Sequence, residues 1–155
     1  MTIRIVETDR WQYRALLLLA DEQEDMVDRY LERGTMYVLE DGGAVRAECV
    51  VTDEGDGVLE LKNLAVAPAV QGRGYGRRLV EFLAETYAGT FRTMQVGTGD
   101  SPATRPFYER CGFTLLRFRL AAGPWKLCCM ASDPRREEKI RRLYQERWSP
   151  SVVIG

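Results

Sequence analysis

A glycine-spaced turn between an apolar strand and an amphipathic helix is the feature that most constrains how this chain can fold. The turn reads Gln71-Gly72-Arg73-Gly74-Tyr75-Gly76, and it follows the strand segment Leu61-Lys62-Asn63-Leu64-Ala65-Val66 and Pro68. Such a layout directs several backbone N–H groups and the positive end of a helix at one point. The segment therefore predicts a site that binds phosphate groups without a metal ion.

Two better-known glycine motifs are excluded by the residues around this turn. A Walker loop ends in Gly-Lys-Ser/Thr, whereas Gly76 is followed by Arg77 and Arg78. A dinucleotide fingerprint needs a third glycine at the position of Leu79 and an acidic strand end about 20 residues later, and neither is present. Taken alone, the glycines are also compatible with a tight strand-to-helix connection that binds nothing.

Hydrophobic patterning on both sides of the turn supports a strand–turn–helix unit. Residues 74–88 place their apolar side chains on one helical face, as in a helix that packs on a core. These side chains are Leu79, Val80, Leu83, Ala84 and Tyr87. Up to Leu61 the strand alternates apolar and polar residues, but the next large apolar residues are Leu64 and Val66. This change of phase predicts a β-bulge at Asn63, which would free backbone groups to bind the amides of a ligand.

The turn and a later segment resemble the two signatures of the GNAT superfamily of N-acetyltransferases. Gln71 to Gly76 is similar to the pyrophosphate loop Gln/Arg-x-x-Gly-x-Gly/Ala, and the preceding Leu64-Ala65-Val66-x-Pro68 also matches. The later segment, Phe107-Tyr108-Glu109-Arg110-Cys111-Gly112-Phe113, is similar to the helix that ends in Gly-Phe at the next strand. The signatures occur in the family's order, 31 residues apart from Gly76 to Phe107, and the resemblance covers residues from about 1 to 120.

The resemblance implies an α/β fold and a coenzyme site. The expected fold is a single GNAT-like domain with a mixed central β-sheet, helices on both faces, and a bulged, splayed central strand. The expected cosubstrate is acetyl-CoA, with no metal ion. By position, its binding residues are Leu64, Ala65, Val66, Gln71, Gly72, Arg73, Gly74, Tyr75, Gly76, Arg77 and Ser101. Ser101 stands where members often have an asparagine that contacts the pantetheine arm; Asp100 is an alternative, and a helix-capping role for this segment is another.

The resemblance also implies catalytic roles for a tyrosine and a glutamate. Acetyl transfer from a thioester to an amine needs a base for the protonated amine and an acid for the departing thiolate. Tyr108 occupies the family's position for the acid, and a core aromatic residue is its alternative role. Glu60 matches the register of the base in histone acetyltransferases of the superfamily; a surface glutamate opposite Lys62 is the alternative, and Glu48 or water is the other candidate base. The backbone N–H near Val66 is expected to polarise the thioester carbonyl.

Composition agrees with one enzyme domain and excludes several other chemistries. The chain has 155 residues, 45% of them hydrophobic, a net charge of −1 and no histidine. Ser-His-Asp catalysis, Cys-His catalysis and histidine-containing zinc sites are therefore excluded. The four cysteines lack metal-ligand spacing, and we expect reduced thiols in a cytoplasmic protein without a signal peptide. The balanced charge and the short longest apolar run, residues 15–20, indicate neither nucleic acid nor a membrane as a partner.

Local patterns predict the order of the elements. Strands are expected at 2–6, 35–40, 44–52, 57–66, 92–97 and 113–120, and helices at 10–19, 22–33, 74–88 and 103–111. Strand–helix–strand repeats in the second half predict parallel crossovers, whereas hairpin turns predict antiparallel pairs. The domain is expected to cover residues 1–123. Residues 124–155 are expected to form a strand and a helix, the latter at 134–147, that pack on the domain or on a partner subunit.

The acceptor is the least constrained part of the prediction. Five carboxylates lie in eight residues at the joint of the first two helices, a joint that lines the acceptor cleft in the family: Asp21, Glu22, Glu24, Asp25 and Asp28. They favour a cationic amine such as a polyamine, an aminoglycoside or a lysine side chain if they line the cleft, but a solvated helix face explains them more simply. The chain is thus expected to acetylate a primary amine of a small molecule or peptide, with a homodimer left open. The alternative is a CoA-binding sensor or interaction module with little turnover.

Overall fold

The computed structural model describes residues 1–98, 104–119 and 126–131, which form seven strands and four helices. The strands are β1 (Thr2–Val6), β2 (Thr35–Asp41), β3 (Ala44–Asp53), β4 (Val58–Val66), β5 (Thr93–Thr98), β6 (Thr114–Arg119) and β7 (Lys126–Ala131). The helices are α1 (Arg14–Ala20), α2 (Glu24–Leu31), α3 (Tyr75–Tyr87) and α4 (Thr104–Arg110), with 3-10 turns at Arg10–Tyr13 and Pro68–Val70. Each element predicted up to residue 120 is present, although the first predicted helix is divided into a 3-10 turn and α1.

The described strands form one mixed sheet in the order β1-β2-β3-β4-β5-β7-β6. β4 and β5 pair in parallel through the crossover helix α3, and the other neighbours are antiparallel. β7 lies between β5 and β6 and is antiparallel to both, so β5 and β6 run in the same direction without touching. Both crossovers are therefore parallel, as predicted. β7 lies in the predicted C-terminal extension, and the structure shows that this strand pairs within the sheet of the domain. The predicted helix 134–147 lies outside the described residues.

The predicted bulge is present in β4. Val50 of β3 lies opposite Asn63, and the next residue, Val51, lies opposite Leu61, so Lys62 has no directly opposed residue in β3. An extra residue of this kind reverses the inside–outside alternation of a strand. The apolar residues that follow the bulge consequently return to the face on which Leu61 is buried.

The central strands also diverge as expected. β4 pairs with β5 only along Val58–Leu61 and Thr93–Val96. Beyond Leu61, β4 continues to Val66 without pairing with β5, while its other edge stays paired with β3. The edge of β4 that faces β5 is therefore open after Leu61, and a ligand has access to its backbone groups.

Helices cover both faces of the sheet, and each face has its own core. The core under α3 and α4 contains Leu39, Cys49, Leu61, Leu79, Leu83, Tyr108 and Phe113. The core under α1 and α2 contains Leu17, Val27, Leu31, Met36, Val38 and Val50. These two apolar layers confirm the predicted α/β arrangement. Within the described ranges, no helix is long and apolar enough to cross a membrane.

Candidate active site

A cavity of about 630 Å³ lies beside the open edge of β4. Nine of the predicted coenzyme-binding residues line it, and so does the predicted acid Tyr108. The nine are Leu64, Ala65, Val66, Gln71, Gly72, Gly74, Tyr75, Gly76 and Arg77. Arg73 is exposed and does not line it, and Ser101 lies outside the described residues. The fold thus brings two sequence segments that lie far apart in the chain to one cavity.

The amino end of α3 presents backbone donors to this cavity. Gly74, the residue before the helix, has φ of 89°, in the left-handed region that favours glycine. The helix ladder begins with the Arg78 N–H, which donates to the Gly74 carbonyl oxygen at 3.0 Å. The N–H groups of the first turn, from Tyr75 to Arg77, precede that bond and have no partner within the helix. Together with the helix dipole, they form a place where a phosphate group binds favourably.

The end of β4 presents a second set of backbone groups. The Ala67 N–H donates to the Arg46 carbonyl oxygen at 2.8 Å, on the β3 side. Because successive residues of a strand direct their backbone groups to opposite edges, the N–H and C=O of Val66 face the open edge. The Gln71 side chain already donates to the Val66 carbonyl oxygen, at 3.1 Å. The N–H of Val66 also faces this edge, where the sequence predicts a donor to a ligand carbonyl.

Tyr108 reaches the cavity from α4, where aromatic contacts hold its ring. It packs edge-on against Phe107 and Phe113, with ring centroids 5.0 and 5.6 Å away. Phe107 in turn lies against Gly76 of α3, where a Cβ atom would stand only 3.2 Å from the ring, so the two helices approach closely at this wall. Burial raises the pKa of the Tyr108 phenol above its usual value, and the phenol stays protonated at physiological pH.

Glu60 lies in a buried ion-pair cluster and does not line the cavity. Its side chain is 3% exposed, on the sheet face opposite Leu61. One carboxylate oxygen accepts from Gln95 Nε2 at 2.9 Å, and the other pairs with Lys62 Nζ, which also contacts Glu54 Oε1 at 3.2 Å. The alternative prediction was a surface glutamate opposite Lys62. Glu60 does pair with Lys62, but it is buried and does not lie on the surface. Glu60 stands two residues before the bulge, beside the point where β4 and β5 part.

Glu48 is the other candidate base, and its burial is complete. It is 0% exposed and lies opposite Ala65, a cavity-lining residue of β4. Neither of its side-chain oxygens has a hydrogen-bond partner among the described residues. Burial without a partner raises the pKa of the Glu48 carboxyl well above its usual value, which favours the neutral acid.

We expect Glu48→Gln to gain stability relative to the wild type as the pH rises. In the unfolded chain Glu48 loses its proton near its usual pKa of 4.5, whereas the folded protein retains that proton to higher pH. The wild type's free energy of unfolding therefore falls above pH 4.5, by up to about 1.4 kcal/mol per pH unit until the folded-state pKa is reached. Urea unfolding of both proteins at several pH values measures the difference. A difference that is constant with pH would mean that Glu48 ionises normally in the folded state.

The acidic residues after α1 lie outside the described cavity lining. Asp21 is buried, and it accepts a hydrogen bond from the Tyr30 hydroxyl at 3.4 Å. The other four are exposed, and Glu24 pairs with Arg14. Glu24 and Asp25 occupy the first turn of α2, where negative charge is favourable. Most of these acidic residues are therefore explained by exposure to solvent and by the favourable position of negative charge at the start of α2.

Five cavity-lining residues were not among the residues predicted for the site. They are Leu19 and Ala20 at the end of α1, and Phe107, Arg110 and Cys111 around the end of α4. The last three have a sequence signal, because helical spacing places them beside Tyr108 on one side of α4. Leu19 and Ala20 have none, since only the packing of α1 over β4 brings them to the cavity. In the described part of the chain, no group of three or more metal-ligating side chains could hold a metal ion.

A mixed sheet with a splayed central strand and a coenzyme-sized cavity beside it is the arrangement of an acetyltransferase domain, and a family model identifies the same class. The family model described as the acetyltransferase (GNAT) domain matches residues 32–115, more than half of the chain. The chain therefore belongs to the GNAT acetyltransferase family, which confirms the family predicted from the two signatures. A similar curated protein is the uncharacterized N-acetyltransferase YvbK of Bacillus subtilis (strain 168), 34% identical over 102 residues. The match covers 64% of this chain and 66% of YvbK, just under two thirds of that relative's length.

Solved structures show the same architecture. The IAA acetyltransferase from Bacillus cereus ATCC 14579 is 28% identical, with a TM-score of 0.72, and the match covers 84% of this chain and 97% of that one. An acetyltransferase of Bacillus subtilis in complex with CoA is 26% identical, with a TM-score of 0.73 and the same coverage of 84% and 97%. The predicted fold class is confirmed by these likenesses, and the second relative shows that a protein of this fold binds CoA.

Proposed function

We propose that this protein binds acetyl-CoA in the cavity beside β4 and transfers the acetyl group directly to a primary amine of a small molecule or peptide. One observation carries the proposal. The free N–H groups of α3, the open edge of β4 and the Tyr108 side chain face a single cavity. Each suits a different part of the coenzyme: the pyrophosphate, the pantetheine amides and the thioester sulfur.

The binding step uses backbone groups and two cationic side chains. The pyrophosphate would accept hydrogen bonds from the N–H groups at the start of α3. Arg77 and Arg110, which both line the cavity, add positive charge for the phosphates. The pantetheine arm carries amides that pair with the open edge of β4 in the manner of an added strand. This geometry would bring the thioester toward Val66 and Tyr108.

The transfer step is a direct attack of the amine on the thioester carbonyl carbon. The N–H of Val66 stabilises the negative charge that develops on the carbonyl oxygen. As the tetrahedral intermediate collapses, the carbon–sulfur bond breaks and the Tyr108 hydroxyl donates its proton to the thiolate. The raised pKa of Tyr108 keeps that proton available at neutral pH. The ammonium group of the acceptor loses two protons over the cycle. One goes to a base before the attack and then to solvent, and the other leaves the nitrogen of the intermediate and returns through water to the Tyr108 oxygen, so charge and protons balance.

We propose a carboxylate on the sheet face under α1 as that base, acting through water. Glu60 is the first candidate, because it stands where β4 and β5 part and its carboxylate pairs with Lys62. Glu48 lies closer in register to the cavity, but burial favours its neutral form. Glutamine variants of the two residues distinguish the candidates.

We expect Glu60→Gln to lower kcat by about 100-fold at neutral pH, with the loss shrinking as the pH rises. At high pH the amine is already neutral and no longer needs a base. The variant keeps the fold intact, because the glutamine oxygen can still accept from Gln95 and Lys62 retains its contact with Glu54. Steady-state rates across pH for Glu60→Gln and Glu48→Gln measure this. An equal loss at every pH would assign Glu60 a structural role, and a loss in Glu48→Gln alone would assign the base to Glu48.

The acceptor side of the cavity, formed by the end of α1, is apolar in the described structure. Leu19 is 51% exposed there, beside the half-buried Ala20.

We propose a cytoplasmic reaction, since Cys49 and Cys111 are free thiols. We keep the homodimer as a proposal that sedimentation can test.

A thiol-release assay with acetyl-CoA and a panel of amines tests the proposed function. The panel contains amines with apolar substituents, polyamines, aminoglycosides and lysine peptides, and mass spectrometry confirms the acetylated product. We expect release of CoA with at least one amine, with thioester hydrolysis well below it. CoA binding in calorimetry without turnover on any amine would favour a coenzyme-binding sensor, and no binding at all would overturn the proposal.

A further inference from the structure

The hairpin between β2 and β3 touches both ends of the segment that carries the glycine loop. At one end, the Ala67 N–H donates to the carbonyl oxygen of Arg46 in β3, at 2.8 Å. At the other end, the Tyr75 hydroxyl donates to Asp41 Oδ2, at 2.7 Å. The Arg46 side chain closes the hairpin by donating from Nε to the Asp41 carbonyl oxygen, at 2.9 Å. The loop between Ala67 and Tyr75 is thus held at both ends by one hairpin.

Tyr75 is the link that matters for the coenzyme. It is the first residue of α3, follows the left-handed Gly74, and lines the cavity with a half-buried ring. Its own N–H is one of the donors at the start of the helix. Any rotation of the Tyr75 side chain and backbone would therefore move the donors that meet the pyrophosphate.

The bond to Asp41 is charge-assisted. The Tyr75 hydroxyl lowers the pKa of the Asp41 carboxyl, and the carboxylate raises the pKa of the Tyr75 phenol. Both shifts describe a neutral phenol that donates to an ionised carboxylate. Asp41 is not among the residues that line the cavity, so it acts through Tyr75 and not by direct contact with the coenzyme.

We propose that Asp41 is a positioning residue of the coenzyme site, which orients Tyr75 and thereby the N–H groups of α3 that receive the pyrophosphate. This inference rests on the proposed coenzyme site. It also runs against simple electrostatics, because a carboxylate near bound phosphates repels them at long range. Removing a negative charge without a positioning role would strengthen coenzyme binding or leave it unchanged.

Glu40 provides a matched control for Asp41. It precedes Asp41 in β2, its side chain is 37% exposed against 42% for Asp41, and it pairs with Arg4 on the surface. Glu40→Ala and Asp41→Ala therefore remove the same charge from adjacent positions. Tyr75→Phe removes the same hydrogen bond from the other side without changing the charge and keeps the ring in the cavity wall.

The experiment measures the Kd for CoA by calorimetry, the KM for acetyl-CoA and kcat in the full chain. We expect Asp41→Ala and Tyr75→Phe each to raise Kd and KM by about threefold to tenfold, the net size of one partly exposed hydrogen bond, with a smaller change in kcat. Asp41 also pairs with the amino terminus of Met1, at 3.8 Å, so Asp41→Ala removes more than the bond to Tyr75. The affinity of the double variant for CoA should still resemble that of either single variant, because both remove the Tyr75–Asp41 hydrogen bond. Glu40→Ala should bind CoA as the wild type does.

Two results would overturn the inference. One is an unchanged or tighter Kd in Asp41→Ala, even if the melting temperature falls, because a merely stabilising contact would show that pattern. The other is an equal loss of affinity in Glu40→Ala, which would point to charge alone. If the wild type itself fails to bind CoA, the proposed function fails first, so the two failures are distinguishable.

Discussion

Tyr108→Phe is expected to lower kcat by about 100-fold or more, with a change of less than about threefold in the Kd for CoA. The hydroxyl acts on the thiolate that forms as the carbon–sulfur bond breaks, so its removal weakens an interaction made only in the transition state. The ring would stay in place, because its edge-on contacts with Phe107 and Phe113 do not involve the hydroxyl. Steady-state kinetics and calorimetry on the same preparation measure both quantities.

A matched control and a change of leaving group sharpen this prediction. Tyr87→Phe also removes a tyrosine hydroxyl, from a half-buried residue outside the described cavity lining whose hydroxyl bonds that of Tyr37 at 2.7 Å. This variant should retain most of the activity. An acetyl thioester with a more acidic thiol needs less help from an acid, so the loss in Tyr108→Phe should shrink with that donor. Wild-type turnover with a good acceptor would instead make Tyr108 a packing residue.

Gly74→Val is expected to reduce the affinity for CoA by about 100-fold or more. A valine pays a steric cost of about 1–2 kcal/mol in the left-handed region that Gly74 occupies, so the start of α3 should shift. No atom lies within 4 Å of the position where a Cβ would stand, so the valine side chain would occupy open space beside the loop. Both effects remove the close backbone approach that a pyrophosphate needs. Calorimetric titration with CoA measures the loss.

Gly55→Val separates the loss of binding from backbone strain. Gly55 has φ of 82° and equally open surroundings, but it lies in the turn between β3 and β4 and does not line the cavity. Both variants should lose stability in thermal unfolding, and only Gly74→Val should lose CoA. Undiminished affinity in Gly74→Val would place the pyrophosphate elsewhere.

The sequence alone determined the parts of this protein that depend on neighbouring residues. A bulge was predicted at Asn63 because an extra residue reverses the alternation of a strand, and the structure has the extra residue at the adjacent Lys62. The start of α3 was predicted from glycine spacing followed by a helical apolar face. Nine of the predicted coenzyme residues line the cavity for the same reason, since they are contiguous or nearly so. Local geometry follows from local steric and hydrogen-bonding rules.

The remaining features depend on contacts between residues that lie far apart in the chain. Glu60 meets Gln95 from another strand 35 residues away, and the side-chain amide of Asn63 meets the carbonyl oxygen of Leu17 from a helix 46 residues away. The position of β7 between β5 and β6 likewise depends on which sheet edge is free. The burial that makes Glu48 hard to ionise depends on two sheet neighbours and a covering helix, none of which its own strand encodes. Such contacts are set by long-range packing and pairing, whose partners a one-dimensional pattern does not name.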